Sequence, residues 1–280
     1  MKEQVTQPGS AGPDRPLDGR VAIVTGAGGG IGRAVCEVLA RAGAAIVAVG
    51  RTEVRLDETL ESARRVAGPG VEGLVVRADV TIEDDMTGMA RRVVDRFGRI
   101  DILVASAGIL RASRGGPRPA VETSVDDWAE VIRTNVRGTF LADRAVLGAM
   151  MGRRSGDIVN VSSTSGLRGF AYDAPYCASK FAILGLTESL HEEARLHGIR
   201  VQSILPGPVA TGIWEQNRPV PPPEKSLDVR RVADMVLYLV TLPRDTVLHG
   251  PVVVPFRPHR RPAWRAAVLG GSAAVRGETT

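Results

Sequence analysis

Short apolar segments rich in β-branched residues alternate with segments of helical periodicity along most of this chain of 280 residues. The first three apolar segments are "RVAIVT" (20–25), "AAIVAVG" (44–50) and "EGLVVRADV" (72–80). Each is followed by a stretch whose apolar residues recur every three or four positions, as on one face of a helix. Strands that are apolar along their whole length are buried on both faces, which occurs in parallel sheets covered by helices on both sides. The sequence therefore predicts an α/β fold with a single doubly wound parallel sheet.

The same alternation continues to residue 256, and no change in composition divides it, so one domain over 18–256 is expected. Residues 1–17, which are rich in Pro and Gly, are expected to form a flexible leader, and 257–280 a flexible basic tail. The later predicted elements are helices over 83–98, 124–151, 174–198 and 228–242, and strands over 101–108, 156–163, 199–207 and 251–256.

Charge and composition exclude several classes of protein. The net charge is +5, but the tail alone carries five Arg and one Glu, so the rest of the chain is close to neutral. We interpret the basic charge as a solvated tail and expect no nucleic-acid partner, with a polyanion-binding arm as the alternative. No apolar run reaches the roughly 18 residues that span a bilayer, and no secretory signal is present. The sequence predicts a cytoplasmic protein without a membrane partner. Its two Cys and four His lack ligand spacing, so no metal is expected.

A glycine-rich loop, "TGAGGGIG" (25–32), lies between the first predicted strand and the first predicted helix. Gly26, Gly30 and Gly32 follow the spacing TGxxxGxG, with Ile31 between the last two. Glycine is needed where the chain turns with positive φ and where backbone N–H groups approach a pyrophosphate at a helix N-terminus. At this position in a doubly wound pattern, the loop predicts a dinucleotide site.

The end of the second predicted strand addresses the choice between NAD and NADP. A carboxylate there would accept a hydrogen bond from the ribose 2′-hydroxyl of NAD. This chain has Gly50 at that position and Arg51 directly after it. A guanidinium binds a 2′-phosphate, which a carboxylate would repel. The sequence favours NADP(H), with NAD(H) as the alternative because Glu53 is close by.

The stretch "APYCASKFAILGL" (174–186) places Tyr176 one helical turn before Lys180, in a chain with three Lys and 33 Arg. An ammonium near a phenol favours the phenolate, so Lys180 is expected to lower the pKa of Tyr176 and make it a general acid–base. Tyr172 is the competing tyrosine, but it precedes Pro175 and is expected to lie before the helix.

Together, the glycine loop and the Tyr-x-x-x-Lys pair resemble the short-chain dehydrogenase/reductase family, in its shorter oxidoreductase branch, over residues 18–256. The resemblance implies a Rossmann fold. It also implies that Ser163 holds the substrate oxygen beside Tyr176, with Ser162 as the second choice, and that Asn135 anchors a water next to Lys180. Its cofactor-binding positions fall on Gly26, Gly30, Ile31, Gly32, Arg51, Asp79, Val80, Ala107, Gly108, Tyr176, Lys180, Pro206, Gly207, Val209 and Thr211.

The activity that this resemblance implies is hydride transfer between a nicotinamide and the carbonyl or carbinol carbon of a small molecule, with reduction expected for NADPH. Ser163, Tyr176 and Trp214 are the expected substrate contacts, and Trp214 lies in a Pro-rich lid at 208–227. The alternative for Trp214 is that it packs the lid onto the body. The arginines of the loop at 109–123 are expected to be solvated, with recognition of an anionic substrate as the alternative. A homodimer or homotetramer through 124–151 and 174–198 is also implied.

Two other functions stay open, a non-catalytic NADP-binding regulator and an epimerase or dehydratase relative. The complete set of Ser163, Tyr176 and Lys180 argues against the first, and the TGxxxGxG spacing against the second. One departure from the family is Ala105-Ser106, where two Asn are usual at the end of the fourth strand. The sequence does not say what then connects this loop to the adjoining helix.

Overall fold

The computed structural model describes residues 15–112 and 116–256. Within these ranges, strands and helices alternate as the sequence predicts. The strands are β1 (Val21–Thr25), β2 (Ala45–Gly50), β3 (Gly73–Arg77), β4 (Ile102–Ala105), β5 (Gly156–Val161), β6 (Ile199–Pro206) and β7 (Val252–Val253). The α-helices are α1 (Gly30–Arg41), α2 (Glu53–Ala67), α3 (Glu83–Phe97), α4 (Val125–Ile132), α5 (Gly138–Arg153), α6 (Ala174–Ala194) and α7 (Val229–Thr241).

The strands form one parallel sheet in the order β3-β2-β1-β4-β5-β6-β7. The chain runs outward from β1 to β3 and then returns to β4 on the other side of β1. Crossovers diverge at this point, which leaves a crevice at the carboxyl ends of β1 and β4. The prediction of a single doubly wound parallel sheet is confirmed.

Apolar cores cover both faces of the sheet. Along β1, Ala22 and Val24 belong to the core under α1, α2 and α7, whereas Val21 and Ile23 belong to the core under α3, α5 and α6. Successive side chains of a strand point to opposite faces, so an entirely apolar strand is what two cores require. This is why the strands read as continuous apolar runs.

The structure differs from the predicted boundaries in three places. The predicted helix over 124–151 is divided by a π-helical turn, Arg133–Arg137, between α4 and α5. The predicted strand over 251–256 is reduced to β7. Leu17, assigned by sequence to the leader, is fully buried, and its N–H donates to Ala42 O at 2.9 Å. The folded part therefore includes Leu17, while most of the leader and the whole basic tail lie outside the described residues.

In the described part of the chain, no helix is both long enough and apolar enough to span a bilayer. No group of three or more His, Cys, Asp or Glu side chains is arranged there to hold a metal ion.

Candidate active site

A cleft of about 650 Å³ opens at the carboxyl ends of β1, β2 and β4. Its walls come from the glycine loop, the start of α2, the segments after β3 and β4, the π-helical turn and the lid. Nine of the predicted cofactor-binding residues line it: Gly26, Gly30, Ile31, Arg51, Asp79, Val80, Ala107, Gly108 and Thr211.

The glycine loop is packed too closely for a side chain at two of its positions, Gly26 and Gly32. Gly26 has φ +67°, and a Cβ atom there would lie 2.8 Å from Ala107 Cα. A Cβ atom at Gly32 would lie 2.4 Å from Gly26 O. The N–H groups of Ser106 and Ala107 both donate to Thr25 Oγ1, at 3.2 and 3.3 Å, and tie the loop after β4 to the end of β1. Gly32 does not line the cleft and instead allows this tight turn.

Helix α1 points its N-terminus at the cleft without a capping side chain. Its N-cap residue is Gly29, which has no side chain to cap the helix, and the first turn has no acidic residue. A Cβ atom at Gly30 would lie 3.2 Å from Thr211 Cγ2, so the lid passes directly over this turn. First-turn N–H groups that lack internal partners, together with the helix dipole, suit an anionic group such as a pyrophosphate.

At the end of β2 the cleft wall is cationic. Gly50, Arg51 and Arg55 line it, and both guanidinium groups are exposed. Glu53, which tempered the sequence argument, is not among the lining residues. Arg55 was missed by the sequence argument, although its position one helical turn after Arg51 was a usable signal.

Tyr176 and Lys180 lie on α6, behind the cleft wall rather than in its lining. Lys180 is buried, with Nζ 5.5 Å from the centre of the Tyr176 ring and 2.9 Å from Val161 O, to which it donates. A Cβ atom at Gly108, on the cleft wall, would lie 3.8 Å from Lys180 Nζ. The predicted pair is thus brought directly behind the wall formed by the end of β4.

Ser163 and Ser162 point in different directions. The Ser162 hydroxyl is buried and donates to Lys180 O at 2.9 Å, which fastens β5 to α6. The Ser163 hydroxyl forms a hydrogen bond with the phenol of Tyr176, and this bond lowers the pKa of the phenol. The same hydroxyl accepts from Ser165 N at 3.1 Å. The preference for Ser163 agrees with this geometry.

The expectation that Lys180 lowers the pKa of Tyr176 is wrong for this structure. Burial raises the pKa of Tyr176 to about 12; the Ser163 hydroxyl opposes this rise, while Asp173 and Cys177 add to it. Lys180 is directed at a backbone carbonyl rather than at the phenol oxygen. Burial also lowers the pKa of Lys180 to about 8. Burial is thus the largest cause of both shifts, and Lys180 is not among the groups that shift the pKa of Tyr176.

Asn135 connects the loop after β4 to the adjoining helix. It lies in the π-helical turn and is fully buried. Its Oδ1 accepts from Ile109 N at 2.8 Å, and its Nδ2 donates to Ile109 O at 2.8 Å and to Ser179 Oγ at 3.0 Å. One amide thus joins the loop to both α6 and the helix that contains the π turn, so Ala105-Ser106 does not leave the loop unsupported.

The remaining predicted residues lie beside the cleft rather than in its lining. Pro206, Gly207 and Val209 end β6 and begin the lid, where Val209 is buried in the core. Trp214 does not line the cleft, and its indole N–H donates to Val209 O at 2.7 Å. This favours the alternative in which Trp214 packs the lid onto the body.

The two ends of the predicted lid lie close together. Ala210 N donates to Leu227 O and Leu227 N to Pro208 O, both at 2.8 Å, so its two ends are held together. A 3-10 segment, Gly212–Asn217, carries several residues of the cleft wall. One residue of the cleft wall, Gln216, accepts from the backbone N–H groups of Leu110 and Arg111 and had no local sequence signal.

Comparison with known proteins places these features in one family. The family model for short chain dehydrogenase matches residues 20–221. An uncharacterized oxidoreductase of Staphylococcus epidermidis is 38% identical over 236 residues, covering 84% of this chain and 97% of that protein.

Solved structures of similar proteins carry both kinds of nicotinamide cofactor. Levodione reductase has a TM-score of 0.78 and 28% identity, over 85% of this chain and 96% of its own. A variant of actinorhodin polyketide ketoreductase with NADPH has a TM-score of 0.75 and 31% identity, over 84% and 96%. NAD+-bound xylitol dehydrogenase has a TM-score of 0.76 and 29% identity, over 85% and 98%.

Proposed function

The chain belongs to the short-chain dehydrogenase/reductase family of oxidoreductases, and from that premise we propose that it uses NADP(H) to reduce a ketone or aldehyde. The observation that carries the proposal is the pair of Tyr176 and Lys180 placed directly behind the wall of a cleft whose outer wall is cationic. Reduction of a carbonyl needs a proton donor beside the oxygen, and we assign that role to Tyr176.

The residues present fit a nicotinamide dinucleotide. A loop that tolerates no side chain at Gly26 or Gly32, followed by an uncapped helix N-terminus, suits the pyrophosphate. Arg51 and Arg55 at the end of β2 suit a 2′-phosphate and favour NADP(H) over NAD(H). When bound, such a cofactor supplies the hydride, and the protein supplies orientation and proton transfer.

Tyr176 serves as the general acid. Because burial raises its pKa to about 12, the phenol keeps its proton across the neutral range, which is the form that reduction requires. The reverse reaction requires the phenolate, which burial disfavours. The environment of the phenol therefore favours the acid form, which suits catalysis of reduction at neutral pH.

Three further residues support this proton transfer. The Ser163 hydroxyl holds the substrate oxygen near the phenol. Lys180, with a pKa of about 8, is an ammonium at neutral pH and stabilises negative charge that develops on the substrate or on Tyr176. Asn135 fixes the loop after β4 against α6, and we keep its expected role in anchoring a water beside Lys180 as part of the proposal.

Substitution of Tyr176 tests the proposal. Ketones and aldehydes are screened with NADPH and with NADH, and hydroxy acids with NADP+ and with NAD+, by following the absorbance of the reduced nicotinamide. We expect turnover with NADPH and a loss of about 10²- to 10⁴-fold in Tyr176→Phe, which still binds NADPH. Tyr172→Phe is the matched control and keeps its activity because that side chain is exposed and outside the predicted set.

Each component of the proposal has its own contrary result. Full activity of Tyr176→Phe would contradict the assignment of Tyr176 as the general acid. Faster turnover with NADH than with NADPH would remove the argument from Arg51 and Arg55. Tight NADPH binding without turnover of any carbonyl would favour the non-catalytic regulator.

A further inference from the structure

Arg111, which follows β4, donates to three separate acceptors although its side chain is only 11% exposed. Its Nε donates to Asn217 Oδ1 at 2.8 Å, and its Nη1 donates to Tyr172 O at 2.8 Å. Its Nη2 forms an ion pair with Asp173. Asn217 ends the 3-10 segment of the lid, whereas Tyr172 and Asp173 directly precede α6. One guanidinium therefore joins the lid to the helix that carries Tyr176. The sequence argument, which expected a solvated arginine here, is corrected on this point.

On the lid side, the contacts hold a wall of the cleft. Gln216 Oε1 accepts from Leu110 N at 2.8 Å and from Arg111 N at 3.1 Å. With the bond from Arg111 to Asn217, these bonds fasten the 3-10 segment to the loop after β4. That segment lines the cleft, so its position sets the shape of the cofactor site.

On the α6 side, Arg111 binds the two residues that set how the chain enters the helix. Asp173 occupies the N-cap position, but its carboxylate makes no capping hydrogen bond and instead pairs with Arg111. An N-cap Asp ordinarily accepts from the second or third N–H of its helix. Tyr172 has φ +67°, an unfavourable conformation for a residue with a side chain, and its carbonyl is held by Arg111. Tyr176 follows only three residues after Asp173.

We infer that Arg111 is a positioning residue that couples the lid to α6, so that closing the cleft and placing the phenol of Tyr176 depend on one side chain. The inference rests on the proposed function for its catalytic consequence, but the coupling itself is a property of the free protein.

The charges around Tyr176 add a second consequence. Asp173, Cys177 and Lys180 face it from α6, and Ser163 faces it from the end of β5. Asp173 raises the pKa of Tyr176, and Arg111 is the ion-pair partner of that carboxylate. Arg111 therefore affects the phenol indirectly, because it partly neutralises the Asp173 carboxylate. Without Arg111, more of the negative charge of Asp173 acts on the phenol.

Hydrogen exchange on the cofactor-free protein tests the coupling directly. In Arg111→Met we expect amides of 208–220 and 170–178 to exchange roughly tenfold faster, since hydrogen bonds to a charged group are lost. Arg111→Lys keeps the charge but cannot reach three separate acceptors, so it should accelerate the lid amides similarly. Arg195→Met, which removes an exposed ion pair near the end of α6, is the matched control and should leave both segments unchanged.

Kinetics separate the electrostatic effect from the geometric one. For Arg111→Met we expect a roughly tenfold higher Kd for NADPH and a higher KM for carbonyl substrate, because the lid wall is loosened. Arg111→Lys keeps the charge beside Asp173 but not the contacts with the lid, so it should raise the Kd and the KM to a similar extent if the geometry, rather than the charge, is what Arg111 contributes.

The outcomes that would overturn the inference differ from those that would overturn the proposed function. Equal acceleration of exchange throughout Arg111→Met would show a merely structural role, and unchanged exchange in both segments would show no coupling. If no carbonyl is reduced by the unaltered protein, the proposed function fails, while the exchange measurements still decide whether Arg111 couples the lid to α6.

Discussion

Buried charged groups at the two ends of the sheet differ in whether they have oppositely charged partners. At the amino ends of the strands, the fully buried carboxylate of Asp157 accepts from three guanidinium groups, Arg20 at 2.5 Å, Arg200 at 2.7 Å and Arg244 at 3.1 Å. At the carboxyl ends, the ammonium of the buried Lys180 donates to a backbone carbonyl, and no carboxylate pairs with it among the described residues. The first arrangement neutralises charge and fixes the chain. The second leaves charge available to a ligand.

The energetic cost of each arrangement explains where it is found. A buried ion requires partners for its hydrogen bonds, or else its pKa moves toward the neutral form. At the amino ends most of these requirements are met, although Arg200 Nη2 has no partner among the described residues. At the carboxyl ends they are left partly unmet, as the pKa values of Tyr176 and Lys180 indicate. Perturbed pKa values of this kind are concentrated at functional sites.

The largest expected effect comes from removing the ammonium at the carboxyl end. Lys180→Met should lower kcat/KM for carbonyl reduction by about 10²- to 10⁴-fold, because a positioned charge at the reacting atoms is lost. In the unaltered protein, activity should fall as pH rises through about 8, where Lys180 loses its proton. Lys180→Arg should keep a residual activity that no longer falls there, because a guanidinium does not titrate in this range. A pH–rate profile for each protein provides the measurement, and an unchanged alkaline limb in Lys180→Arg would assign that limb to another group.

A comparable free energy, but no change in turnover, is expected at the opposite end. Asp157→Asn should lower the free energy of unfolding by about 3–5 kcal/mol, because the buried guanidinium of Arg200 and the partly exposed ones of Arg20 and Arg244 lose their counter-ion. Asp234→Asn is the control, since Asp234 forms an exposed i,i+4 pair at 3.8 Å and such pairs contribute about 0–1 kcal/mol. Denaturant unfolding measures both variants. A large fall in kcat for correctly folded Asp157→Asn would mean that the two ends are not independent.

The third expected effect lies between the ends of the sheet, and it is gradual because it is spread over several pH units. Asp143 on α5 is fully buried, and burial raises its pKa to about 8 although Asn160 Nδ2 donates to it at 2.9 Å. The folded protein then holds a proton that the unfolded chain releases near pH 4. Stability should fall as pH rises from about 4 to about 8, by at most about 1.4 kcal/mol per pH unit, and level off above that.

Asp143→Asn should flatten this dependence, because an amide does not ionise. The measurement is the free energy of unfolding of both proteins across pH 4–8. Equal slopes would show that Asp143 is ionised when folded and would put the pH dependence on other groups.

Most of the fold was predictable because it depends on local patterns. The apolar strands predicted burial on both faces, and the structure uses β1 in this way, with Ala22 and Ile23 in opposite cores. The glycine loop was predictable because its residues are adjacent in the chain. The π-helical turn around Asn135 was not, because it depends on how a buried amide meets the loop after β4.

The candidate site was predictable only in part, for the same reason. Tyr176 and Lys180 can be recognised in the sequence from their spacing, and Ser163 from its distance from Tyr176 in the chain. Arg111 and Gln216 have no such local signal, since each gains its place from segments far apart in sequence. The direction of the pKa shift of Tyr176 was also mistaken, because spacing reports which groups are close but not how much water each has lost.

The sequence by itself determined the parallel sheet and the tight glycine turn, and it supplied the side chains that we propose to react. These follow from steric limits and from periodicities that act over a few neighbouring residues. Only the tertiary structure decided that the phenol of Tyr176 keeps its proton and that Arg111 joins the lid to α6. Both outcomes depend on desolvation and on contacts between distant segments, which exist only once the chain has folded.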